Sequence, residues 1–174
     1  MLGSISEIID NQAFVKLAVD INSQSNLINL HVIFEDGTKK IVGEINNGLV
    51  ILVGFTKGDT KEEIDYLANK IINLRIFDDD NGIMNKSLLD INGEVLSISQ
   101  FTLYADTKSG RRPSYIKALN GNEAIKLYDE FNKCLKEKGI KVATGIFGSD
   151  MQVSLINDGP VTITLEKENE NGKK

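Results

Sequence analysis

The sequence predicts an α+β fold: an antiparallel-rich, β-barrel-like domain with two helices packed outside it. Three observations carry this. Short β-rich runs separated by Asp-Gly and Asn-Gly turns fill the first third. Two longer stretches with helical apolar spacing follow, each opened by a capping residue. Between and after the helices the chain returns to short strands.

In order, Gln12 to Val19 and Leu27 to Phe34 are β-rich, and Glu35-Asp36-Gly37 is a hairpin turn leading to a return strand from Lys39 to Ile45. Asn46-Asn47-Gly48 is a second turn. The run Gly48 to Phe55 is apolar on both faces, which predicts a central strand. Asp59 or Thr60 caps the first helix, whose apolar stripe is Ile64, Leu67, Ile71, Ile72 and Leu74. Asp78 to Gly82 is an acidic turn without the ligand spacing of a calcium loop. Val95 to Leu103 reads as a strand. Asn122 is placed to cap a second helix from Glu123 to about Lys138, buried through Ala124, Leu127, Tyr128, Phe131 and Leu135, with Gly139 just past its end. Gln152 to Ile156 and Val161 to Leu165 are the last strands.

Composition narrows the function. The chain has 174 residues, 41% apolar and 26% charged, as in ordinary globular domains. Its net charge of −5 argues against broad phosphate-backbone binding. The single cysteine, Cys134, permits no internal disulfide and no cysteine-based zinc site, and its helical setting predicts a plain packing residue. The single histidine, His31, lies in a predicted strand, so neither a Ser-His-Asp triad nor a histidine metal site is expected. No apolar run is long enough to span a bilayer and no signal peptide is visible, so a cytoplasmic setting is expected, with no membrane, metal or cofactor. An enzyme of this composition would work by positioning and backbone dipoles.

Two segments are unusual for plain structure. Ser99-Gln100-Phe101-Thr102 places polar side chains in a block beside aromatics, and Asn157-Asp158-Gly159-Pro160-Val161-Thr162 sets Gly-Pro between two strands. With Val42-Gly43-Glu44-Ile45, Arg75-Ile76-Phe77, Gly82-Ile83-Met84-Asn85, Gly110-Arg111-Arg112-Pro113-Ser114 and Phe147-Gly148-Ser149-Asp150-Met151-Gln152-Val153, their order resembles the D-aminoacyl-tRNA deacylase family.

The resemblance implies a homodimeric hydrolase that frees D-amino acids, and glycine, from tRNA. It assigns Ser99, Gln100, Phe101 and Thr102 to one wall of the catalytic pocket. A cis Gly159–Pro160 bond, with Asn157, Asp158 and Met151 beside it, becomes the chirality filter, whose carbonyls reach into the partner's pocket. The substrate's own terminal 2′-hydroxyl is implied to assist the chemistry, with Gln100 and backbone groups orienting the ester. Lys108, Arg111 and Arg112, in a basic stretch that also holds Lys117, suit contact with the tRNA acceptor end.

The start of the chain departs from the family pattern. Residues 1–42 form an atypical N-terminal β segment, 43–166 the deacylase-like domain, with part of 1–42 able to join the same fold, and 167–174 a disordered tail. Glu7 stands where the family carries arginine. The alternative functions are a catalytically inactive tRNA acceptor-end binder of the same fold, and a structural interaction domain with no RNA role.

Overall fold

The computed structural model describes residues 14–22, 28–33 and 36–168. Expectations at Glu7, at Gln12, Leu27, Phe34 and Glu35, and in the tail after 168 lie outside the described residues. The elements are β1 (Phe14–Asn22), β2 (Ile28–Ile33), β3 (Lys39–Ile45), β4 (Gly48–Gly54), α1 (Lys61–Asn73), β5 (Phe77–Asp78), β6 (Met84–Lys86), β7 (Glu94–Ser99), α2 (Gly121–Glu137), β8 (Val142–Thr144), β9 (Met151–Ser154) and β10 (Thr162–Glu168). They form a five-stranded sheet of order β10-β1-β4-β7-β8, a three-stranded sheet of order β3-β2-β9, and the small β5-β6 hairpin.

The fold is α+β with two helices, as expected, but the barrel-like expectation is corrected: among the described residues there are an open mixed sheet of five strands, an open antiparallel sheet of three, and no closed barrel. The reason lies in the connections. α1 separates β4 from β7, and α2 separates β7 from β8, and both pairs are parallel. Parallel neighbours need such crossovers, and here both helices cover the same face of the sheet. The remaining pairs are antiparallel.

The apolar run of β4 is explained by burial on both sides. Leu49, Ile51 and Val53 pack with Ile64, Leu67, Ile71, Phe131 and Leu135 of the helices. Val50 packs with Ile45, Leu96 and Ile98 in a second cluster, flanked by Leu52 of β4 and by Met151 and Val153 of β9. A central strand in a three-layer stack has no solvent face, so period-2 polarity vanishes.

Thr60 caps α1: its Oγ1 accepts from Glu62 N–H (3.2 Å), and Thr60 N–H donates to Glu63 Oε2 (2.8 Å), closing a capping box. Leu74 is the C-cap rather than part of the stripe. α2 starts earlier than expected. Asn120, not Asn122, is the cap, its Oδ1 accepting from Glu123 N–H (3.2 Å). Gly139 follows the helix at φ +86°, as expected for the left-handed stop. Cys134 is a buried α2 residue whose thiol donates to Asp65 Oδ1 (3.1 Å). Burial pushes that thiol up to about 11, and the Asp65 carboxylate adds to the shift, so it stays protonated at neutral pH.

Asp59, in the turn between β4 and α1, carries a pH dependence. Its Oδ2 accepts from Thr56 N–H (2.8 Å), while Oδ1 is buried without a hydrogen bond. Burial pushes the carboxyl up to about 7, with Glu63 adding to the shift against the Thr56 bond. A raised carboxyl pKa means the folded protein binds the proton more tightly than the unfolded chain. Its contribution is therefore full below about pH 4 and is lost as pH rises towards 7. Asp59→Asn is expected to gain thermal stability relative to wild type as pH rises from 5 to 8. Melting curves at matched pH check this; parallel profiles would refute it.

Candidate active site

The site forms where the parallel strands β4 and β7 end. Open sheets bind ligands outside the carboxyl ends of parallel strands, because the chain leaves the sheet there and exposes backbone groups. β7 was expected to run to Leu103, but it stops at Ser99, and Phe101–Tyr104 is a 3₁₀ turn. Gln100 N–H makes the closing bond to Val53 O (2.8 Å), and the turn then folds back with Leu103 N–H on Gln100 O (3.3 Å). Alternation of apolar residues through Leu103 mimics a strand, whereas the turn uses them to pack on β4. Gly54 permits the approach: a Cβ there would stand 2.9 Å from Gln100 O.

This turn is one wall of a cleft of about 670 Å³. Ser99, Gln100 and Phe101 line it, with Phe55 and Leu119 beside them. Gly121 and Ala124 at the start of α2, the loop from Phe147 to Asp150, and Met151 complete it. Thr102 is not on the wall but holds it, since Gln100 Nε2 donates to Thr102 Oγ1 (2.5 Å). Phe101, 56% exposed, meets Tyr115 edge-on at 5.1 Å between ring centroids.

Tyr115 and Asp150 are the titratable side chains on the cleft wall. The wall therefore offers amide, hydroxyl and carboxylate groups, main chain and aromatic faces, which can bind and orient an ester but supply no imidazole, amine or thiol. His31 lies in β2, in register with Ile41 and Gln152. Among the described residues no group of three His, Cys, Asp or Glu side chains could hold a metal ion.

The structure brings Ser99, Gln100, Phe101 and Met151 together, with Thr102 behind them. It places Asn157, Asp158, Gly159 and Pro160 outside the cleft wall of their own chain. The Gly159–Pro160 bond is cis. Asn157 ties this loop: its Oδ1 accepts from Val161 N–H (2.9 Å) and its Nδ2 donates to Thr162 Oγ1 (2.9 Å). Lys108, Arg111 and Arg112 are exposed on a loop pinched by mutual Asp106–Ser114 backbone bonds (2.8 and 2.9 Å). That loop runs on into Tyr115 and Ala118 of the cleft. Sequence reasoning gave no site role to Phe55, Leu119, Gly121, Ala124 or Phe147. Of these, only Phe147 stood in a run already singled out.

The family model described as D-Tyr-tRNA(Tyr) deacylase matches residues 29–166. A Thermosipho africanus protein named D-aminoacyl-tRNA deacylase is 61% identical over 127 residues, 73% of this chain and 85% of that one. A Bacillus subtilis protein named inactive D-aminoacyl-tRNA deacylase is 56% identical over 128 residues, 74% of this chain and 97% of that one. A solved structure of a c-Myc DNA unwinding element binding protein superposes with a TM-score of 0.76 at 31% identity, covering 88% of this chain and 98% of that one. With its strand-end cleft walled by Ser99, Gln100 and Phe101, this chain belongs to the D-Tyr-tRNA(Tyr) deacylase family.

Proposed function

We propose that this protein hydrolyses the ester bond of D-aminoacyl-tRNA, and of glycyl-tRNA, releasing free amino acid and tRNA as a chirality check in translation. The observation that carries the reading is the cleft at the ends of β4 and β7, where Gln100 is held by Thr102 on a wall without a strong base. Such a wall suits an activated ester, which needs orientation more than general-base power. Water adds its oxygen to the acyl carbon, the bond to the ribose oxygen breaks, and that oxygen takes the proton, with the neighbouring ribose hydroxyl assisting. Gln100 and main-chain groups hold the ester.

The working unit in this reading is a cytoplasmic homodimer. Asn157, Asp158, Gly159 and Pro160 of one subunit enter the other's cleft and, with Met151, screen the amino-acid side chain. Their position off their own cleft wall supports this, as does the exposed Ile156 beside them. Lys108, Arg111 and Arg112 meet acceptor-end phosphates. Residues 43–166 form the deacylase-like domain, and β1, paired with β4 and β10, joins the same sheet.

Release of labelled amino acid from D-tyrosyl-tRNA tests the activity. Gln100→Ala is expected to keep the wild-type melting temperature and to lower kcat/KM about tenfold, the cost of one placed hydrogen bond. Unchanged kcat/KM in the folded variant would remove Gln100 from the site. The inactive Bacillus subtilis relative favours one second reading, a tRNA-end binder without turnover. Tight tRNA binding with no release over buffer would establish it.

A further inference from the structure

A second hollow, of about 560 Å³, lies beside the cleft. Phe147 belongs to both walls, and its ring packs against Tyr128 at 5.9 Å between centroids. Gly121 and Ala124 at the start of α2 line the cleft, and further along the same helix Asn132 and Lys136, with Lys133 on its flank, line the hollow. From Ala124 to Asn132 is about 12 Å along the helix axis, the length of a few nucleotides of a single strand.

We infer that this hollow is a nucleotide subsite, which holds the unpaired RNA strand just before the terminal aminoacylated adenosine. This rests on the deacylase reading only in identifying the strand as a tRNA 3′ end.

Two observations support a nucleotide in particular. Lys133 and Lys136 are exposed on the rim, and the contact of Lys133 with Glu137 is long (3.8 Å) and solvent-screened, so it yields to a phosphate. Asp129 and Glu137 also line the hollow and offset the two lysines. That balance suits single phosphodiester charges and opposes a polyphosphate.

Equilibrium binding of uncharged tRNA tests the subsite without relying on catalysis. The double variant Lys133→Ala/Lys136→Ala is expected to bind roughly 5–20-fold more weakly near 0.1 M salt, with its log–log salt slope reduced by about 1–2. On tRNA trimmed of its unpaired 3′ nucleotides, variant and wild type should bind alike. Equal affinity and slope for wild type and the lysine variant, an equal loss on trimmed tRNA, or no tRNA binding by wild type would overturn the subsite. Release from D-tyrosyl-tRNA by wild type is measured separately. A protein that shows the lysine effect but no release would overturn the deacylase reading and keep the subsite.

Discussion

Gly48→Ala is expected to lower the unfolding free energy by at least about 3 kcal/mol. Gly48 opens β4 at φ +154°, a conformation that L side chains rarely adopt. A Cβ there would stand 1.8 Å from Glu94 O and 2.7 Å from Glu94 N, all rigid main chain. Gly48 and Glu94 are also the first partners of the parallel β4–β7 pair, closed by Glu94 N–H on Asn47 O (2.9 Å). Relief of the clash must part the two strands at their start and shift Leu49 and Val95, both fully buried. Small domains hold only about 5–15 kcal/mol in reserve, so a large share would go. Gly37→Ala is the control. Gly37 also has positive φ (+78°), but nothing lies within 4 Å of its added Cβ, so its cost should stay near 1 kcal/mol. Urea denaturation of the pair separates the two effects, and similar losses would refute the steric account.

What the sequence discloses here follows how local each signal is. Thr60 with Glu63 three residues on is a capping box confined to four residues, and the sequence narrowed the cap to Asp59 or Thr60 without separating them. The same rule misplaced the start of α2, because Asn120 and Asn122 are equally good caps and Gly121 between them carries no apolar signal. β4 was legible because burial on both faces leaves an unbroken apolar run. β8 was missed: Val142–Thr144 is three residues long, and its pairing with Val95–Ser97 is a long-range fact. The cleft divides the same way. Gln100 and Phe101 stood out as a polar-aromatic block, but Phe55, Leu119 and Phe147 reach the wall only through the β4–β7 pairing and the packing of α2. Leu119 N–H on Phe55 O (2.9 Å) joins residues far apart in the chain, and no local pattern announces it.

Hydrolysis should prefer D-tyrosyl-tRNA over L-tyrosyl-tRNA by at least about 100-fold in kcat/KM, which corresponds to about 2.7 kcal/mol at the transition state. In the proposed reaction Gln100 and main-chain groups fix the ester, so the two enantiomers differ only in where the α-carbon sends its side chain. One direction leads to open cleft. In the proposed dimer the other meets main chain at Gly159 and Pro160 of the second subunit. A filter of this kind must be stiff, because a loop that yields by an ångström admits both enantiomers. The stiffness has a visible source in Asn157, whose side chain bridges Val161 N–H and Thr162 Oγ1 across the loop. Gly159 itself tolerates no side chain: it sits at φ +121°, and a Cβ would stand 2.8 Å from Val161 Cγ2. Asn157→Ala should therefore keep most D-tyrosyl-tRNA hydrolysis while the D/L ratio falls about ten- to hundredfold, the worth of the two hydrogen bonds lost. Glycyl-tRNA, with nothing to clash, should be cleaved by both proteins. Parallel initial rates on D-tyrosyl-, L-tyrosyl- and glycyl-tRNA supply the comparison. Equal rates on the two tyrosyl substrates would sink the filter. An unchanged ratio in Asn157→Ala would place its stiffness elsewhere, because the filter can act only if an L side chain meets main chain that does not move.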